Sequence, residues 1–127
     1  MSRRNANHLV VIYWRDIPAQ VNAQVGRERH QIVLPARFQR SIDRAKRKAG
    51  IVTADGDVAQ WRRETKPLTD TPELAAQAEA DRLIEAFPKE RLGKIAYVGG
   101  WEADVHDDTT VSRAELAALE ELEEETP

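Results

Sequence analysis

The stretch His8-Leu9-Val10-Val11-Ile12-Tyr13-Trp14-Arg15 decides the fold. Its six central residues are apolar without a break, and β-branched and aromatic side chains of this kind are enriched in strands. Because successive side chains of a strand point to opposite faces, an unbroken apolar run predicts a central strand that is covered on both sides. We therefore expect residues 8–15 to form the centre of a sheet.

The residues that follow predict a partner strand. Residues 16–18 carry a turn signal, and apolar residues then alternate with glutamine and asparagine through residues 19–25. This alternation is typical of a strand with one face in water, and the short connection favours antiparallel pairing. Residues 32–34 and 58–63 are further strand candidates, the latter returning to the sheet.

Two segments carry helix signals at their ends. Pro35 suits the first turn of a helix and Gly50 suits its end, so that the two bracket residues 36–49. Thr71 as an N-cap, followed by proline, opens a second helix that runs to about Phe87.

The first helix has two contrasting faces. On a helical wheel its apolar residues, among them Phe38 and Ile42, fall in one arc. Five cations fall in the opposite arc: Arg37, Arg40, Arg44, Arg47 and Lys48. The pattern predicts a helix that packs by one face and presents a cationic face to water.

These elements predict a single α+β domain over residues 1–100. We expect an antiparallel sheet of three to four strands with two packed helices in the order ββαβα, followed by residues 94–98 as a last strand or docked extension. Residues 101–127 are predicted to be an acidic linker and a C-terminal helix, because Ser112 and Glu115 have the spacing of a capping box.

The two halves of the chain carry opposite charge. Residues 1–66 hold 14 Lys/Arg against 6 Asp/Glu, whereas residues 67–127 hold 5 against 16. A basic surface attracts polyanions, and an acidic segment either covers such a surface or recruits a separate partner. The sequence leaves open whether the acidic end acts within one chain or between chains.

Several classes of protein are excluded or disfavoured by composition. The chain has no cysteine, which excludes disulfides, thiolate catalysis and cysteine-ligated metals. Its longest uncharged apolar run, residues 9–14, is far shorter than the roughly 20 residues that a membrane helix needs. We therefore expect a cytoplasmic protein with no membrane partner, no metal and no cofactor.

The tetrad Tyr13-Trp14-Arg15-Asp16 is the strongest candidate for a functional site. It places two aromatic rings, a guanidinium and a carboxylate where the central strand ends, a combination that suits a planar or anionic ligand. It also suits the anchor of a protein interface, since hot spots favour Trp, Tyr and Arg. In the alternative interpretation one ring belongs to the core, the other covers a face of the sheet, and Arg15 pairs with Asp16 or with a helix end.

The cationic helix face allows a second set of interpretations. Its arginines, together with those of residues 62–66, could contact the phosphates of RNA or DNA. No familiar nucleic-acid motif accompanies them, and an aromatic content of 6% is thin for base stacking. A solvated face and a surface for an acidic protein are the alternatives.

Three blocks of the sequence, residues 11–21, 37–45 and 61–63, resemble a small bacterial domain family catalogued as "virulence factor". The first block, from Val11-Ile12-Tyr13-Trp14-Arg15 to Val21, is the most specific. The resemblance covers about residues 8 to 90 and implies a bacterial, soluble domain to which no reaction and no catalytic residue is assigned. It also implies that genes of related proteins lie near genes of tetrahydrofolate and corrinoid one-carbon metabolism, which suits an accessory subunit.

The sequence therefore predicts a non-catalytic accessory or adaptor domain that binds an unidentified protein. The predicted binding residues are those of the tetrad and of the cationic face: Tyr13, Trp14, Arg15, Asp16, Arg37, Arg40, Arg44 and Arg47. The alternatives are an electrostatic nucleic-acid binder and a subunit of a one-carbon enzyme complex. An independent enzyme is less favoured, because no spacing singles out a nucleophile or a pair of carboxylates.

Overall fold

The computed structural model describes residues 7–106, which form a four-stranded antiparallel sheet with helices packed on it. The strands are β1 (Asn7–Trp14), β2 (Ile17–Val25), β3 (Glu28–Val33) and β4 (Trp61–Lys66). The helices are α1 (Ala36–Ala49), the short α2 (Ala54–Val58), α3 (Pro72–Ala86) and α4 (Lys89–Tyr97), and a 3-10 turn covers Glu102–Asp104. The predicted α+β class is confirmed.

The strand order is β3-β2-β1-β4, so β1 lies inside the sheet as predicted. Leu9, Val11 and Tyr13 alternate along β1 and belong to the main core, where α3 packs on the first three strands. On the other face Val10 is 2% exposed and Trp14 has no exposed surface, so that both faces of β1 are buried at these positions.

Helix α1 spans the predicted residues. Pro35 precedes its first residue, and Gly50 ends it with a φ of 73°, a left-handed conformation that glycine adopts without strain. Phe38 and Ile42 are buried against the core, as the apolar arc predicts. The helix packs on α4 and β2, which fixes the direction of its basic side.

Three predicted elements differ from the structure. The third strand, predicted at residues 32–34, is β3 and begins earlier, at Glu28. Residues 94–98, predicted as a last strand or a docked extension, belong to α4 and to its C-terminal cap, so the strand is wrong. Leu92, Ile95 and Ala96 recur at helical spacing and are all buried, so that packing selects a helix here. The strand predicted at residues 58–63 is displaced to β4, since α2 occupies the positions before it.

Helix α3 begins as the sequence predicts. The hydroxyl of Thr71 accepts a hydrogen bond from the backbone N–H of Leu74, and Pro72 is the first helical residue. No helix within residues 7–106 is long and apolar enough to cross a membrane. The helix predicted to start at Ser112 lies outside the described residues.

Candidate functional site

The tetrad forms the tight connection between β1 and β2. Arg15 has a φ of 55°, in the left-handed region that residues other than glycine rarely adopt. Its backbone N–H donates to the carbonyl of Gln60 at 3.0 Å, and the N–H of Asp16 donates to the carbonyl of Gly100 at 2.9 Å. The turn is therefore held from two sides by distant parts of the chain.

The side chain of Arg15 continues this connection. Its Nε donates to Oε1 of Gln60 and its Nη1 to the carbonyl of Gly99, both at 2.9 Å. The guanidinium carbon lies 5.1 Å from the ring centroid of Trp14 and 5.5 Å from that of Trp101. Arg15 thus joins the end of β1 to the segment after α4 through hydrogen bonds and cation–π contacts.

Asp16 is also fully engaged within the domain. One carboxylate oxygen accepts from Nη2 of Arg62 at 3.0 Å, and the other accepts from the backbone N–H of Glu102 at 2.8 Å. Arg62 in turn donates to the carbonyl of Arg15 at 2.7 Å and lies 4.3 Å from the ring of Tyr13. Burial, the largest influence, raises the pKa of the Tyr13 phenol above its usual value.

Trp14 lies in the core. Its side chain has no exposed surface, and its indole N–H donates to Oδ1 of Asp57 in α2 at 2.8 Å. Lys46 of α1 forms an ion pair with the same carboxylate at 2.9 Å. The hydrogen bond from Lys46 is the main reason that the pKa of Asp57 lies below its usual range.

The tetrad is thus a structural junction between the sheet, α2 and residues 99–102. Arg15 bonds to Gln60 and Gly99 rather than to Asp16, whose carboxylate accepts from Arg62 and from the backbone N–H of Glu102. Tyr13 and Trp14 are buried, and Arg15 and Asp16 are half-buried, so a partner would meet only the last two. A binding role for the tetrad stays a prediction.

The predicted cationic face of α1 is only partly a surface. Arg37 departs from the prediction, since its Nη2 donates to the carbonyl of Ile84 at 2.9 Å and its Nε to that of Phe87 at 3.3 Å. These carbonyls lie at the end of α3, where a helix leaves acceptors unpaired and a cation is favourable. Arg40 and Arg44 are half-buried, and Arg47 is exposed.

Sequence reasoning missed two exposed aromatic residues beside this face. Tyr97 at the end of α4 is 45% exposed, and Trp101 is 39% exposed. Nζ of Lys48 lies 4.6 Å from the ring centroid of Tyr97. We call Arg47, Lys48, Tyr97 and Trp101 the aromatic–basic patch. The available signal was Gly99-Gly100, which brings the chain into contact with α1 and the tetrad.

Glycine is required at the centre of this contact. A Cβ built on Gly100 would lie 2.8 Å from Cζ3 of Trp14 and 3.1 Å from Cδ of Arg15. At Gly99 a Cβ would lie 3.4 Å from the Cβ of Ala49, the last residue of α1. The two glycines therefore let residues 97–101 run directly along the end of α1.

Residues 7–106 contain no group of three or more His, Asp and Glu side chains arranged to hold a metal ion. The acidic side chains near the tetrad are instead paired with arginines or, for Asp57, with Lys46. Arg91, for example, donates to both carboxylate oxygens of Glu102, at 2.7 and 2.9 Å. Hydrogen bonding by Arg91 is the main reason that the pKa of Glu102 is lowered.

Comparison with known proteins gives one result. Residues 12–96 match the model of a protein family described as "Virulence factor". The matched segment contains the tetrad, α1 and β4 but ends one residue before Tyr97. Searches of curated proteins and of solved structures find no match.

Proposed function

We propose that this chain, which belongs to the Virulence factor family, acts as a non-catalytic accessory or adaptor domain for a partner protein. The single observation that carries this proposal is the aromatic–basic patch. Family membership supplies no reaction, so the argument rests on the surface itself.

Two large aromatic side chains are exposed within five residues of each other. Trp and Tyr are enriched among the residues that dominate the free energy of protein–protein binding. Here Tyr97 is accompanied by Lys48 and Trp101 by Arg15, so both rings are positioned by cations before a partner arrives. Less side-chain entropy is then lost on binding.

The charge around the rings indicates the kind of partner. Arg47 and Lys48 lie in the last turns of α1 and are exposed, and Arg40 and Arg44 extend the basic side of the same helix. A basic rim around aromatic anchors accelerates association with an acidic surface and disfavours a basic one. We therefore propose an acidic protein as the partner.

The tetrad supports a non-catalytic role in this proposal. A catalytic group must meet its substrate, yet Trp14 is fully buried and both oxygens of Asp16 accept hydrogen bonds from the chain itself. Their contacts are those of residues that hold a fold together.

The experiment begins with capture of partners from a lysate of the source organism on the tagged full-length chain, with and without nuclease. The captured protein is then purified, and its affinity for variants is measured by calorimetry. Trp101→Ala should weaken binding about thirtyfold or more, because truncation of a hot-spot residue costs at least about 2 kcal/mol. Leu74→Ala is the matched control, since Leu74 is 57% exposed on α3, away from the patch.

The outcomes separate the alternatives. Equal affinities of Trp101→Ala and the unmodified chain would refute the patch as the binding site. Capture that disappears with nuclease would favour the nucleic-acid alternative, for which the basic side of α1 would supply phosphate contacts. A captured enzyme of one-carbon metabolism would identify the chain as its subunit.

A further inference from the structure

A second surface, unrelated to the patch, lies on the sheet. It is a cavity of about 520 Å³, lined only by residues of the four strands. On the cavity face its polar side chains are two arginines, His8 and four amides, and the lining includes no carboxylate. Volumes of this order are typical of sites for small molecules.

The register of the sheet explains how these side chains meet. Gln24 pairs with His8 on one side and with Arg29 on the other, which places all three in one row. Ile12 pairs with Gln20 and with Arg63, in a second row four residues further along β1. Residues that pair directly share a face, so both rows project into the same cavity.

The two arginines lie at opposite corners of this surface. Arg29 is on one edge strand and Arg63 on the other, separated by three strand spacings of about 4.8 Å each and by four residues along the strands, at about 3.4 Å each. Both are exposed, and neither forms an ion pair within residues 7–106. Arg62, on the other face of β4, is by contrast paired with Asp16 and Glu64.

The floor between the arginines is rich in amides. Nε2 of Gln31 donates to Oε1 of Gln20 at 2.7 Å, and Nε2 of Gln24 donates to the carbonyl of Gly26 at 2.9 Å. These bonds fix the orientation of the side chains. Oδ1 of Asn22 is buried and accepts no hydrogen bond, although a buried acceptor normally has a partner. A ligand with an O–H or N–H donor would satisfy it.

We infer that this cavity binds a small hydroxylated organic anion with a charged group near each end. Arg63 contacts one charged group, and Arg29 with His8 contacts the other. The hydroxyl groups of the ligand donate to Asn22 and exchange hydrogen bonds with the glutamines. The charged groups are phosphates or carboxylates, which arginine binds by the same bidentate geometry.

The test uses the full-length chain labelled with ¹⁵N, because side-chain amides give their own NMR signals. The probes are fructose 1,6-bisphosphate for a phosphate ligand and glucarate for a carboxylate ligand. We expect saturable shifts of the Asn22 side-chain signals with at least one probe. Fructose 6-phosphate, which has a charged group at one end only, should bind about tenfold more weakly than the bisphosphate.

Two variants with the same change of charge provide the control. Arg63→Gln should weaken binding of the responding probe about tenfold, whereas Lys94→Gln on α4 should leave it unchanged. Both positions are exposed, so neither replacement should unfold the domain. Asn22→Val removes the unpaired acceptor and places a residue that favours strands. Binding to this variant, followed by the side-chain amide signals of the glutamines, should also be weaker.

Each outcome is decisive. A response to the bisphosphate alone assigns a phosphate ligand, and a response to glucarate alone assigns a carboxylate. The absence of shifts with both probes, or an equal loss of binding with Lys94→Gln, overturns the inference. It is also overturned if the Asn22 signals do not shift with either probe but do shift when Glu123, Glu124 and Glu125 are replaced by glutamine. The acidic segment would then be the occupant of the cavity.

Discussion

Replacing Gly100 by alanine should destabilise the domain strongly. A Cβ at this position would lie 2.8 Å from Trp14, which is fully buried and hydrogen-bonded to Asp57, so the indole has little room to move. Overpacking of this kind costs about 1–3 kcal/mol. The φ of 108° adds about 1–2 kcal/mol, since L-residues rarely adopt it.

The sum of about 2–5 kcal/mol is a large share of the 5–15 kcal/mol that typically stabilises a domain. Gly26→Ala separates the two contributions, because Gly26 has a φ of 59° but no atom within 4 Å of a built Cβ. It should lose only the conformational part, about 1–2 kcal/mol. Urea unfolding followed by tryptophan fluorescence measures both variants. Equal losses would show that residues 99–101 do not pack on Trp14 in solution.

Two further predictions concern ion pairs and helix ends. Glu79 is 8% exposed and bonded to Lys66 and Arg82; burial, the largest influence, acts to raise its pKa, but these hydrogen bonds lower it below the usual range. A carboxylate with a lowered pKa stabilises the fold at pH values above its unfolded-state pKa, and this stability is lost as the pH falls through the folded-state pKa. Glu79→Gln should therefore cost about 1–3 kcal/mol at neutral pH and flatten the acid side of the stability curve, as measured by urea unfolding. The exposed Glu85→Gln should do neither. Arg37→Ala should lower the free energy of unfolding by about 1–2 kcal/mol through loss of its bonds to α3, and an equally small effect of Arg37→Ala and Arg40→Ala would refute the described contact.

Elements with local signals could be predicted from the sequence. Helix α1 is bounded by Pro35 and Gly50, whose effects act within a few residues, and β1 consists mainly of an unbroken apolar run. The start of α3 is predicted by Thr71, which caps it. In each case the residues that decide the element lie inside or next to it.

The remaining features depend on contacts between distant residues. Residues 94–98 allow a strand or a docked extension by sequence, because Ile95 and Tyr97 favour strands, whereas packing against α1 selects a helix. The tetrad lies at the end of β1, as the apolar run predicts. The hydrogen-bond partners of Arg15, however, are Gln60 and Gly99, which lie about 45 and 85 residues further along the sequence. A wheel of α1 alone cannot show that Arg37 reaches the carbonyls of α3.

The extent of the family match bears on how the two proposed surfaces relate to each other. The match ends at residue 96, so Tyr97 and Trp101 lie beyond it, whereas the amides and both arginines of the sheet cavity lie within it. Binding of a partner through the exposed rings would then depend on residues of this chain outside the matched segment. A ligand of the sheet cavity would instead depend on residues inside the segment by which the family is defined. Because the sheet positions these residues through backbone pairing, the cavity can persist while surface loops vary. Measuring Arg63→Gln against Trp101→Ala in both assays therefore tests whether the two surfaces act independently.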